Sequence, residues 1–142
     1  MICTIDYHPL LTYSVGMHLI KRIDAPRFDA AGTAVTAYAA PSRGSSELSV
    51  WQIELTPGST SPLHHMDREE VFLGLEGHAV AEIGSRQHSL GAGDCLILPA
   101  GTDFTLHVAD DERPFRALAC VPAGAQATMV PDGATFVPPW AE

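Results

Sequence analysis

Apolar and polar residues alternate along much of this chain with a period of two, and no segment keeps a long period near 3.6. In ELSVWQIELT (47–56), Leu48, Val50, Gln52 and Glu54 fall on one side, and Ser49, Trp51, Ile53 and Leu55 on the other. Period two places alternate side chains on opposite faces of a strand. Six further stretches of this kind predict strands: TAVTAYAA (33–40), EEVFLGLEG (69–77), HAVAEIG (78–84), DCLILPA (94–100), DFTLHVA (103–109) and FRALACVP (115–122). Turn-forming stretches separate them: PSRGSS, TPGSTSP, GSRQ, GAGD, PAGT and DDERP. Short strands at regular spacing, punctuated by glycine and proline, predict an all-β sandwich or barrel.

The ends of the chain are less regular. Residues 1–31 carry the signal of an edge strand or a short helical turn. The tail after Val121 holds Pro122, Pro131, Pro138 and Pro139. It reads as an extended arm wrapped on the barrel surface. No internal repeat or linker divides the 142 residues. The expected organisation is one domain over 1–142, with N-terminal strands or an arm to residue 46, a core over 47–122 and the tail over 123–142.

Charge and cysteine content narrow the function. Eight Lys and Arg stand against seventeen Asp and Glu, a net charge of −9. An acidic surface repels phosphate backbones and anionic lipid, so neither nucleic acid nor a membrane is an expected partner. No apolar run approaches the ~20 residues of a membrane span. The N-terminus lacks a basic start and carries Asp6 and His8, unlike a signal peptide. Three cysteines, Cys3, Cys95 and Cys120, are too few and too scattered for a disulfide framework. Cys95 and Cys120 sit in apolar runs and are expected as small buried residues in a reducing cytoplasm.

The chemistry concentrates in SPLHHMDREEVFLGLEG (61–77). Two histidines, a short polar gap and two glutamates are donor types that serve a metal or a proton-transfer pair. If HHM is a strand, His64 and Met66 share one face and His65 takes the other. A bulge would reverse this.

The stretch 57–77 resembles the first cupin motif: Gly58, five residues, His64, then Glu70, six residues, Gly77. GDCLILPAG (93–101) resembles the second, with Gly93, Pro99 and Gly101 at the motif's spacing. The chain is thereby similar, over roughly 47–122, to small single-domain, RmlC-like members of the cupin superfamily. The resemblance implies a double-stranded β-helix, or jelly roll, often a homodimer through its N-terminal strand. It also implies four metal ligands, and here the sequence departs from the pattern. The first ligand position is His64, the second is Met66, the glutamate is Glu70, and the last histidine's position is Phe104. The family's asparagine position is Val108.

Two of four ligands therefore remain. A thioether and a phenyl ring are poor substitutes for imidazole toward first-row divalent ions. The cofactor is then either a divalent transition metal (Zn, Fe, Mn, Ni or Cu) on an incomplete set, or none. His65 or His107 could supply a third ligand through a bulge or bend, which would suffice for zinc. Without metal, His64 and Glu70 form an acid–base pair in one cavity, as in cupin epimerases that need no metal. The plainer alternative is that they hydrogen-bond each other inside the barrel. Met66, Phe72 and Phe104 suit either core packing or the lining of a pocket for an aromatic or polyketide-like ligand. His78 and His88 are expected at the surface, Trp51 in the core or a dimer interface, and Trp140 plugging a surface groove. The expected function is a small-molecule enzyme acting on an apolar or aromatic metabolite. Its reaction would be isomerisation, cyclisation or dehydration by proton transfer, or oxygenation if a metal is bound. The alternative is a non-catalytic ligand-binding or sensing protein that has lost its metal site.

Overall fold

In a computed structural model, which describes residues 16–142, twelve strands form an antiparallel jelly roll. The expectations for Cys3, His8 and the rest of 1–15 lie outside the described residues. One wall is a six-stranded sheet in the order β1-β2-β3-β10-β5-β8. Its strands are β1 (Arg27–Ala30), β2 (Thr33–Ala39), β3 (Leu48–Leu55), β5 (Glu70–Glu76), β8 (Cys95–Leu98) and β10 (Phe115–Pro122). The facing wall consists of two three-stranded sheets. One is β12 (Thr135–Phe136), β11 (Ala127–Met129) and β4 (His64–Met66); the other is β7 (Arg86–Gly91), β6 (His78–Ile83) and β9 (Thr105–His107). Antiparallel bridges Thr60–His107 and His64–Phe104 join the two halves of this wall.

The period-two pattern does the work that the sequence assigns to it. In β3 every second residue is buried: Ser49, Trp51, Ile53 and Leu55. In β10 the buried set is Phe115, Ala117, Ala119 and Val121. Ala119 stands opposite Trp51 on one side and Phe72 on the other, so a small residue separates two large ones. Removing these apolar faces from water supplies about 25 cal/mol per Å2 of buried apolar area.

The motif glycines answer to sterics. Gly77 has φ of 73°, and a Cβ there would lie 2.1 Å from the carbonyl oxygen of Pro114. Only a residue without Cβ makes the tight passage from β5 to β6. The bond from Gly101 N–H to the Met66 carbonyl, 2.8 Å, ties the second motif to the strand of the first.

Three expectations need correction. Cys95 is exposed and Cys120 only half-buried. Both sit at outward positions, on β8 and β10. Ile97 is 60% exposed for the same reason, so the continuous apolar run LIL does not mark a strand buried on both faces. Arg86 and Gln87, read as the end of the turn GSRQ, belong instead to β7, because Arg86–Gly91 pairs with β6 along its full length. The tail is not merely an extended arm. Ala127–Met129 pairs with β4 and with Thr135–Phe136, completing a sheet. At the other end, Arg22–Asp24 forms a 3₁₀ turn and Arg27–Ala30 an edge strand, so both of the structures foreseen for that region occur.

Candidate active site

A cavity of about 250 Å3 lies between the two walls. Its lining is almost wholly apolar, and includes Val35, Trp51, Ile53, Leu55, Met66, Phe72, Phe104 and Leu106. Ser61, Thr33, His64 and Glu70 add polar side chains.

β4 supplies His64 and Met66 to this cavity. Its register sets His64 against Met129, His65 against Thr128 and Met66 against Ala127. The strand carries no bulge, so His65 faces away, where its Nδ1 lies 2.7 Å from Asp103 Oδ1. Met66 is 4% exposed and Phe104 1%. His107 does not line the cavity; its Nδ1 lies 2.7 Å from the Thr60 hydroxyl. The two residues that would have rescued a metal site are thus held elsewhere, each by a hydrogen bond. Val108, at the family's asparagine position, is buried and apolar. Among the described residues, no three His, Cys, Asp or Glu side chains gather in a metal-binding group. The donors do not fit the metal centre that the fold family implies: His64 and Glu70 remain, and a thioether and a phenyl ring occupy the other two places.

Glu70 begins β5 and is 3% exposed. Its Oε1 is fully buried and has no hydrogen-bond partner. Burial among apolar side chains disfavours the charged form and pushes the carboxyl up to about 8. Glu70 is therefore largely a neutral acid at neutral pH.

His64 does not bond to Glu70. Its Nδ1 lies 2.7 Å from the Pro62 carbonyl oxygen. A carbonyl only accepts, so Nδ1 carries the proton, and in the neutral ring Nε2 keeps its lone pair. Burial is the main influence holding His64 below the usual imidazole value; the bond to Pro62 opposes it, and His65 reinforces it. The His64 ring rests on Phe104, centroids 4.7 Å apart, and Phe104 meets Phe72 edge-on at 5.7 Å. The arrangement offers a neutral imidazole with a free lone pair and a neutral carboxylic acid to one apolar space.

Several lining residues escaped the sequence reading. Ala127, Met129, Phe136, Pro138 and Trp140 all come from the tail. Phe136, Pro138 and Trp140 are two residues apart, the period of one face of an extended chain, and that was the signal available. Trp140 does not plug an outer groove. It packs on Trp51 (centroids 6.3 Å) and Phe28 (6.2 Å) and lines the cavity. Trp51 itself is buried in the core. His78 and His88 are exposed, and His78 Nε2 is hydrogen-bonded to the Ser89 hydroxyl.

Comparison with known proteins agrees with this architecture. The family model for the cupin domain matches residues 51–121, half of the chain. The chain belongs to the cupin family. Among solved structures, a polyketide cyclase, RemF from Streptomyces resistomycificus, superposes with a TM-score of 0.72 at 17% identity, covering 87% of this chain and 89% of that one. A cupin-superfamily sugar phosphate isomerase from Silicibacter pomeroyi gives 0.61 at 22% identity, over 75% of this chain and 76% of that one. A salicylate 1,2-dioxygenase mutant from Pseudoaminobacter salicylatoxidans, in complex with gentisate, gives 0.63 at 19% identity over 75% of this chain, which spans 31% of that protein. At these identities the likeness establishes the cupin jelly roll. No curated protein matches the sequence.

Proposed function

We propose that this cupin is a small-molecule enzyme that moves a proton on an apolar or aromatic carbonyl compound, in an isomerisation, cyclisation or dehydration. One observation carries the reading: a buried carboxyl with no protein partner, Glu70, lines a cavity whose walls are mostly hydrocarbon. Buried polar groups are nearly always satisfied, and an exception asks for a ligand or a catalytic role. In the proposed reaction the neutral Glu70 donates to the carbonyl oxygen as it gains charge. His64 Nε2 accepts the proton from the adjacent carbon. An acid whose value lies near the working pH is suited to giving and regaining a proton within one turnover. The apolar walls exclude water and orient the ring system. Among the described residues this centre has two metal-type donors, so no step is routed through a metal. The named activities of the structural neighbours, polyketide cyclisation and sugar phosphate isomerisation, are reactions of the same broad kind. The outer leucines and isoleucine of the six-stranded sheet (Leu48, Leu73, Leu75, Ile97) support a homodimer, and the unpaired thiols Cys95 and Cys120 suit a reducing cytoplasm.

The replacement of two ligand positions by Met66 and Phe104 favours a second reading, a binding protein without chemistry. The two are separated by the exchange of α-protons of β-tetralone in D2O, followed by proton NMR. Catalysed exchange that falls by about 10²–10⁴-fold in Glu70→Gln supports the enzyme. Exchange that Glu70→Gln leaves unchanged rules Glu70 out as the acid, and β-tetralone binding without any exchange supports the binding protein.

A further inference from the structure

Two buried side-chain polar atoms among the described residues have no hydrogen-bond partner: Glu70 Oε1 and Trp140 Nε1. Both residues line the same cavity. An orphaned carboxyl oxygen and an orphaned indole N–H, on residues of one mostly apolar cavity, describe a ligand with an oxygen function at each of two positions on a hydrocarbon body. We propose that Trp140 is a ligand-binding residue that selects such compounds, its indole N–H donating to a second oxygen of a ring ketone whose carbonyl meets Glu70. The indole has one donor and accepts nothing, so the oxygen it meets must be an acceptor: a hydroxyl, ether or second carbonyl.

The fold holds Trp140 for this purpose from a distance. Pro139–Ala141 forms a single 3₁₀ turn. The Arg43 guanidinium donates to the Trp140 carbonyl at 2.7 Å, and the buried Ser49 hydroxyl donates to the Ala141 carbonyl at 3.1 Å. Contacts with Trp51 and Phe28 fix the ring plane. The backbone of this turn is thus well satisfied while the one polar atom of its large side chain is left without a partner. A residue present only to fill space would serve equally as phenylalanine, without a buried donor that costs free energy when unmet.

The inference rests on the reading that the cavity holds a small molecule, and the experiment separates the two. Calorimetry compares tetralin, β-tetralone and a β-tetralone with a phenolic hydroxyl at the far end of its aromatic ring. In the wild-type protein the phenolic compound is expected to bind about tenfold more tightly than β-tetralone, the gain of one buried hydrogen bond. Trp140→Phe should abolish that gain, so that the phenolic compound and β-tetralone bind alike, whatever packing the substitution costs all three ligands. Independently of any variant's folding, the Trp140 indole N–H resonance, one of two in a chain with two tryptophans, should move downfield with the phenolic compound and not with tetralin. A phenolic gain that survives in Trp140→Phe, or equal losses for all three compounds, would show that Trp140 only packs. Intact phenolic selectivity with no Glu70-dependent exchange would instead leave the Trp140 assignment standing and remove the proton-transfer reading. Failure of all three compounds to bind the wild-type protein overturns both.

Discussion

The cavity has two polar groups without protein partners, and the regions that carry them are built differently. Glu70 stands on β5, hydrogen-bonded on both sides by β10 and β8, with His64 on the facing strand. Trp140 stands on a three-residue turn, Pro139–Ala141, held by the side chains of Arg43 and Ser49. The first region is rigid because a paired strand cannot shift by one residue without turning its side chains inside out. The second depends on a few contacts, and such segments open at lower free energy than sheet interiors. The fold therefore places its acid on a strand paired on both sides and adds Trp140 to the cavity lining from a turn held by fewer contacts.

The largest test of this contrast restores what the rigid region has replaced. With Met66→His and Phe104→His together, four imidazole and carboxylate donors would occupy the family's ligand positions. A complete protein zinc set contributes about 10 kcal/mol or more. Calorimetry with Zn2+ should show stoichiometric, chelator-sensitive binding in the double variant and no comparable site in the wild-type protein. Similar tight binding by both would mean that His65 or His107 leaves its partner to complete a site.

Next in size are truncations at the two ends. Phe104→Ala should cost about 3–5 kcal/mol in denaturant unfolding, because it hollows a fully buried position. Trp140→Ala should cost about half as much, since the residue is partly exposed and its turn can collapse. Equal losses would mean that the tail is as integral to the core as the strands.

Glu70→Gln addresses the acid itself. The folded protein keeps the Glu70 proton up to about pH 8, while an unfolded chain releases it near 4.5. Between these values the folded state binds more protons, so its stability falls as pH rises. The contribution is fully present below pH 4.5. Substitution should flatten the decline by up to about 1.4 kcal/mol per pH unit across that window. An unaltered pH profile would place the Glu70 carboxyl in water.

The smallest effect concerns the tether. Ser49→Ala leaves the Ala141 carbonyl without its hydroxyl donor and should cost about 1 kcal/mol. Amide hydrogen exchange should quicken at residues 140–142 and not in β5. Quickening throughout the barrel would contradict the independence of the two regions.

The sequence was legible where one strand carries one period. Seven strand predictions between residues 33 and 122 correspond to strands of the structure, and the two glycine-bounded motifs indicated the cupin jelly roll. Exposure was harder to read, because β8 is apolar on both faces yet covered on one. Ile97 and Cys95 look like core residues, and nothing local says that they point out of the barrel. β7 was missed because RQHSLG has little of the β-branched character that marks strands; pairing with β6 outweighs its propensity. At the site, strand parity separates His64 from His65 in sequence alone. The missing hydrogen bond between His64 and Glu70 was not legible, since it depends on the Pro62 carbonyl claiming Nδ1 within the turn before β4. Trp140 was not legible as a lining residue, because its place is set by Arg43 and Ser49, more than ninety positions away.

A carboxyl-carbon NMR titration of Glu70, assigned by its loss in Glu70→Gln, tests the central claim most directly. A neutral acid held in a hydrocarbon cavity should titrate with a midpoint at about 8. A midpoint near the ordinary value of 4.5 would show that the carboxylate is charged at neutral pH and would contradict the assignment of Glu70 as the proton donor.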